Sequence, residues 1–135
     1  MEEKWKKWIP IEGVSKDLNL SSITFDNNGL LIKLCGQLDK EELEVSYESV
    51  FSFRSTDEGR RLNLLNTLSE KYGKDFYKTW SMFKVEFSPY INWLNKETYG
   101  IYESYDIEHH VYITSNDILE VITAQTPSFK IRREI

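Results

Sequence analysis

The chain has a single cysteine, Cys35, so no intramolecular disulfide framework can staple it. Only two histidines are present, and they are adjacent, His109 and His110. Neighbours on a strand point to opposite faces, so the pair cannot share one metal ion. With the cysteine distant in sequence, no zinc-type ligand spacing exists. Glycine is sparse too. Six residues are scattered at positions 13, 29, 36, 59, 73 and 100, with no cluster to cradle a phosphate and no cofactor fingerprint. No serine sits in a nucleophile-elbow pattern. No run approaches the roughly 20 apolar residues of a membrane span, and the stretch from Met1 to Trp8 lacks the apolar core of a signal peptide. A cytoplasmic location with no membrane partner is expected. Basic residues are outnumbered, 17 against 22, giving 17 − 22 = −5. Nucleic-acid backbones demand a basic face, which this balance argues against. It suits a basic protein partner better.

What is present builds a core. The 135 residues fit one domain spanning 1–135, and 40% apolar with 14% aromatic content is enough to fold it. The expected class is α+β, mainly antiparallel β-sheet packed against one long and one or two short helices. The organising stretch is Phe51 to Gly59 with Arg60 to Tyr72 behind it. The β-formers Val45, Tyr47, Phe51 and Phe53 read as a strand over Glu44 to Phe53. Ser55 and Glu58 then have capping-box spacing for the long helix. Leu62, Leu65, Leu68 and Tyr72, widened by Leu64, form its apolar stripe, and Gly73 is its C-terminal stop. Arg54, Asp57 and Arg60 at this junction are either a solvated helix start or a polar site.

Elsewhere, Trp5 and Trp8 interleaved with Lys4, Lys6 and Lys7 read as an N-terminal strand whose tryptophans pack on the domain edge; the functional alternative is a nucleic-acid or membrane-surface patch. Ser22–Asp26 and Leu30–Gly36 flank Asn27-Asn28-Gly29, a hairpin for which Asn-Gly suggests a type I′ turn. Cys35 in the second of these strands reads as a small buried hydrophobe, with a reactive thiol as the alternative. After Gly73 a short helical turn is expected over Lys74 to Thr79. A strand over Trp80 to Phe87 follows, then a helix opened by Ser88-Pro89 that buries Tyr90, Trp93 and Leu94. Ile107 to Thr114 and Ile118 to Thr123 are antiparallel mates. Pro127 is expected to end regular structure, leaving Lys130, Arg132 and Arg133 as a frayed basic tail.

Two groups bear on function. Glu42, Glu44 and Glu48 fall at alternate strand positions in the most acidic stretch, with Lys40 the one nearby cation. They suit a basic partner surface or a solvated face better than a metal site, since no calcium-loop pattern accompanies them. Glu108, His110 and Tyr112 share a strand face and form a conceivable acid–base cluster. They would line a pocket between sheet and helices in a small enzyme or small-molecule binder. Trp80, Trp93, Tyr99, Tyr102, Tyr105 and Tyr112 all lie in the second half; any left exposed would be natural anchors for a protein partner.

The pattern Trp8-Ile9-Pro10, Asp26 to Leu30, Phe53-Arg54-Ser55-Thr56-Asp57-Glu58-Gly59, Trp80, Phe83-Lys84-Val85, Ser88 with Trp93, Tyr99-Gly100-Ile101-Tyr102 and His110 to Val121 resembles a group of small proteins of Gram-positive bacteria. Members of such groups accompany secreted polymorphic toxins and look like their immunity proteins. The likeness spans about residue 5 to residue 124. It implies a non-enzymatic protein that binds a toxin domain and blocks it; it transfers no catalytic, metal or cofactor residue.

Overall fold

The computed structural model describes residues 2–14, 17–36 and 41–133. Its strands are β1 (Lys4–Lys7), β2 (Leu18–Asp26), β3 (Gly29–Gly36), β4 (Glu41–Tyr47), β5 (Ser52–Asp57), β6 (Met82–Glu86), β7 (Glu108–Ile113), β8 (Asp117–Thr123) and β9 (Ser128–Arg133). Helix α1 spans Leu62–Tyr72 and α2 spans Pro89–Glu97. The strands form two sheets, ordered β1-β6-β7-β8-β5 and β2-β3-β4-β9, and every pairing is antiparallel. An α+β architecture therefore holds. The single long helix does not: α1 has 11 residues and α2 has 9.

Strand alternation builds the layers. Met82, Tyr112, Leu119 and Val121 of the first sheet meet Leu30, Ile32, Leu34, Leu43, Val45 and Tyr47 of the second. Residues of the opposite parity, Phe83, Val85, Val111, Ile113 and Ile118, turn away and pack with Trp5 against Leu65 and Leu68 of α1. Tyr90 and Leu94 of α2 cover Ile122 on that same face. The first sheet is thus covered on both sides, which explains why β7 and β8 are buried along nearly their whole length, polar residues included. Each fully buried Leu, Ile or Val side chain contributes roughly 1.5–3 kcal/mol.

The junction folds differently from its sequence expectation. What reads as one strand over Glu44 to Phe53 is two: β4 ends at Tyr47 in one sheet and β5 begins at Ser52 in the other. Ser55 is no helix cap. It pairs with Leu119 inside β5, and the strand runs on to Asp57. Asp57 accepts from Gly59 N and caps a short 3-10 turn over Glu58–Arg60. Helix α1 starts only after it, with Arg61 before its first turn and no side-chain cap. Pairing with β8 draws the flanking Arg54 and Thr56 backbone groups into the ladder, and that outcompetes the local capping box at Ser55. The later start leaves Leu62 exposed, outside the buried stripe of Leu65 and Leu68. Gly73 does stop α1, at φ +100.

Three further expectations change. The hairpin is present, but its turn is not type I′. Asn27 and Asn28 lack positive φ, and Gly29 takes it instead, at +112. The Asp26 carboxylate accepts from Asn28 N at 2.8 Å and stabilises that form. Residues 74–79 form hydrogen-bonded turns, not a helix. Pro127 does not end regular structure: residues 128–133 form β9 against β4, and Lys130 and Arg132 are strand residues opposite Glu44 and Glu42. The acidic strand supplies the cross-strand charge partners that turn a basic tail into an edge strand.

Candidate functional site

Strand β7 carries the titratable chemistry. As alternation requires, His109 and His110 point to opposite faces of the first sheet, and both are buried. His110 faces the second sheet. Its Nε2 lies 3.0 Å from Glu108 Oε1 and its Nδ1 lies 2.8 Å from the Tyr47 hydroxyl, which is 2.5 Å from the Tyr112 hydroxyl. The ionised carboxylate can only accept, so Nε2 carries the proton. The Tyr47 hydroxyl must then donate to Nδ1, and Tyr112 must donate to Tyr47. This one-way chain runs from the middle of the sandwich to Glu108 at its rim. There Lys84 Nζ sits 3.1 Å from Glu108, and Trp8 stacks on the imidazole at 4.2 Å. Burial holds the His110 pKa below its ordinary value, and the bond to Glu108 only partly offsets that. Burial also raises the Tyr47 and Tyr112 hydroxyls well above theirs.

His109 faces the helices. Its Nδ1 lies 2.7 Å from Ser88 Oγ and its Nε2 lies 3.0 Å from Glu120 Oε1. The positions come from strand–turn–helix geometry: β6 ends, Phe87 adopts φ +54, and Ser88 caps α2 by accepting from Ile91 N, with Pro89 in the first turn. Hydroxyl, imidazole and carboxylate in line resemble a nucleophilic triad. The electrostatics oppose that use. Glu120 is also bonded by Arg54, through Nε at 2.5 Å and Nη2 at 2.9 Å, and by Arg61 Nη1 at 2.8 Å. One carboxylate faces two guanidinium groups, so its charge is already shared between Arg54 and Arg61 and not reserved for His109. Burial pushes the Glu120 pKa up, but the bonds from His109, Arg54 and Arg61 outweigh it and hold the carboxyl ionised far below the usual range. Ser88 is itself buried, and its Oγ accepts from Ile91 N at the helix cap. Both histidine clusters are satisfied structural joints.

The acid–base cluster expected from Glu108, His110 and Tyr112 is therefore assembled but does not line a pocket between sheet and helices. His110 and Tyr112 lie between the two sheets. An open cleft of about 420 Å³ does reach Glu108, with Lys6, Lys84, Phe87, Ile91 and Ile107 among its walls. Of the two readings of Arg54, Asp57 and Arg60, neither an α-helix start nor a shared polar site forms: Arg54 lies in β5 and meets Glu120 together with Arg61. Strand pairing through Arg54 and Glu120 creates this cluster, so only knowledge of that register could have found it. Among the described residues, no group of three or more His, Cys, Asp and Glu side chains could hold a metal ion.

Glu42 and Glu44 share the outer face of the second sheet, and Glu48 does not join them. Glu42 and Glu44 are interleaved with Lys33, Lys130 and Arg132, and Arg132 Nε lies 2.9 Å from Glu44; Glu48 is exposed just beyond the strand. Cys35 sits half-buried on this face, its Sγ 3.7 Å from Asn19 O, and is not the core hydrophobe expected. Trp5 is buried against Phe83 and Trp8 is wedged beside His110. The aromatic side chains left outside are concentrated elsewhere. Phe87, Trp93, Tyr99, Ile101 and Tyr105 are five of the eight large apolar side chains exposed among the described residues, and all belong to segment 87–105. Trp93 thus departs from its expected burial. Tyr99 is 95% exposed and sits at φ +54. No described helix is long and apolar enough to cross a membrane. The chain matches no family model, no curated protein and no solved structure.

Proposed function

We propose that this chain is a non-catalytic binding protein that occludes a basic protein domain. The observation that carries the reading is the crowding of exposed aromatic and apolar side chains into segment 87–105. Trp and Tyr dominate interface energetics, and a single large exposed group of them is unusual on an unpartnered surface. Over residues 87–105 the charged side chains are Lys96, Glu97 and Glu103, so the segment carries 1 − 2 = −1. A partner offering cations around an apolar depression complements it. Glu42, Glu44 and Glu48 add to the overall acidity that steers such a partner inward. Of these, Glu48 is the one outside the charge lattice of β3, β4 and β9. Both titratable clusters are consumed by folding, which supports a role without bond-making. The resemblance to immunity proteins makes a secreted toxin domain the first partner to test, with the chain acting in the cytoplasm.

The test is calorimetric titration of the chain against basic toxin domains encoded beside its gene. Micromolar or tighter binding is expected. Tyr99→Ala and Tyr105→Ala should each weaken it by about tenfold or more without lowering thermal stability. No binding to any such domain at low salt sinks the reading. The cleft at Glu108 favours a second reading, a small-molecule binder with an apolar floor and charged rim. A thermal-shift screen in which no amphipathic small molecule raises the melting temperature disposes of it.

A further inference from the structure

The sheet edges are not equally protected. An edge strand presents unpaired N–H and C=O groups, and folded proteins blunt such edges with short strands, bulges, lysines or covering groups. At one end of the first sheet, β1 has only four residues, three of them lysine, and the Tyr72 hydroxyl accepts from its Trp5 N–H at 3.0 Å. In the second sheet, β2 is broken by a bulge between Leu20 and Ser22, and β9 carries Lys130 and Arg132. The remaining edge is β5. It is six residues long, without lysine or bulge inside it, and its one basic side chain, Arg54, is folded back on Glu120 and over the Tyr90 ring at 4.1 Å.

The direction of its backbone groups follows from the register. Glu58 N donates to Asn116 O in the register of the β5–β8 pair, so at alternate positions Ser52, Arg54 and Thr56 exchange their bonds with β8. Phe53, Ser55 and Asp57 turn theirs outward, and among the described residues no strand pairs with that side. Beside the free edge, Ser52, Phe53, Arg54, Tyr90 and Trp93 enclose an open cleft of about 260 Å³.

We propose that β5 is a strand-addition site, where an extended peptide of another protein pairs with the outward groups of Phe53, Ser55 and Asp57 and seats an acidic side chain beside Arg54 and an apolar one against Trp93. The charges choose this occupant. Arg54 and Arg61 share the single carboxylate of Glu120, which leaves 2 − 1 = +1 beside the cleft of a chain whose total is −5. A second copy adding its own β5 would bring another Arg54 to a site already in cationic surplus. A peptide with Asp or Glu at one alternate position and apolar residues flanking it relieves that surplus while completing the ladder. The site is distinct from segment 87–105 apart from Tyr90 and Trp93, and its proposal does not rest on the toxin-binding reading.

The probe is a phage-displayed library of random dodecapeptides selected on the full chain, with enriched peptides resynthesised and titrated by fluorescence polarisation. Enriched peptides should alternate β-branched or aromatic residues with one acid, and exchange of that acid for lysine should abolish binding. Ser55→Pro removes one outward N–H and should weaken binding by about tenfold, the worth of one or two backbone bonds. Methylating alternate amides of the peptide should weaken it as much in one register and leave it unchanged in the other. That control needs no protein variant. The proposal is overturned if no peptide family emerges, or if binding survives both amide registers. It is overturned equally if sedimentation shows a dimer that Ser55→Pro dissolves and the peptides compete with, since a second copy would then be the occupant.

Discussion

Replacing Glu120 by Gln isolates the electrostatics of the β5–β8 joint. The side chain keeps its shape and loses its charge. In the wild type its two oxygens accept from Arg54, Arg61 and His109, and its own side chain is 1% exposed. An amide keeps one acceptor and turns an NH₂ group towards donors. At least two of the four bonds are then lost, and a guanidinium is left without its counter-charge. Breaking a buried pair from one side costs roughly 3–5 kcal/mol. The Arg54 and Arg61 side chains are 46% and 22% exposed, so water recovers part of this; the low end, about 3 kcal/mol, is expected. For a chain of this size that lowers the melting temperature by about 10 °C and the urea midpoint by about 2 M at a slope of about 1.5 kcal/mol per M. Equilibrium urea unfolding followed by tryptophan fluorescence reads it. Arg54→Met leaves Arg61 and His109 on Glu120 and should cost only about 1 kcal/mol, and the double variant should fall short of the sum by at least about 1 kcal/mol. If Glu120→Gln lies within about 0.5 kcal/mol of the wild type, which is the range of an ordinary surface change, the account of this cluster is refuted.

Acidification should destabilise the fold in two steps. The His110 pKa is depressed below 6.5 in the fold, so the unfolded chain takes up that proton first and stability falls as pH drops through that value. Glu108 and Glu120 are depressed below 4.5, so their contribution is present above that pH and is lost on further descent. Urea midpoints measured across that range should decline throughout, and a flat profile between about pH 7 and about pH 5 contradicts the His110 assignment. Two glycines at positive φ should separate strain from collision. Gly29→Ala places a Cβ 2.1 Å from Tyr47 O and should cost about 3 kcal/mol or more. Gly73→Ala meets nothing within 4 Å and should cost about 1 kcal/mol of backbone strain alone. Equal melting temperatures for the two variants would contradict the hairpin geometry. Tyr47→Phe strips the donor from His110 Nδ1 and the acceptor from Tyr112, and a loss of about 1–3 kcal/mol by chemical denaturation is expected.

Local signals predicted the local elements. The Ser88-Pro89 opener of α2, the β2–β3 hairpin and the β7–β8 pair each depend on residues close in sequence. Failures came where a distant partner decided. Ser55 satisfies both a helix cap and a strand position, and only the presence of Leu119 opposite it selects the strand. Lys130 and Arg132 look like a frayed tail until Glu42 and Glu44 are placed beside them. Val45 and Phe53 share a parity yet belong to different sheets, because the bend at residues 48–51 leaves no periodicity signal. The acid–base residues were legible as a shared strand face, but the second shell of Tyr47, Ser88, Arg54 and Arg61 comes from four other segments.

The two histidines show how titratable side chains can align the layers of a sandwich. Each is gripped in the same way, a hydroxyl on Nδ1 and a carboxylate on Nε2, yet on opposite faces of β7. His110 joins the first sheet to Tyr47 of the second; His109 joins it to the N-terminus of α2 and to β8. A sheet buried on both faces could slide against either layer if its contacts were apolar alone, because apolar packing tolerates many near-equivalent arrangements. An imidazole with a fixed partner on each ring nitrogen admits a single alignment of the layers. That specificity requires both nitrogens of each ring to be occupied, so both imidazoles are tied into the joints between layers. The two proposed contacts lie instead on the outside, at the aromatic segment after β6 and the open edge of β5.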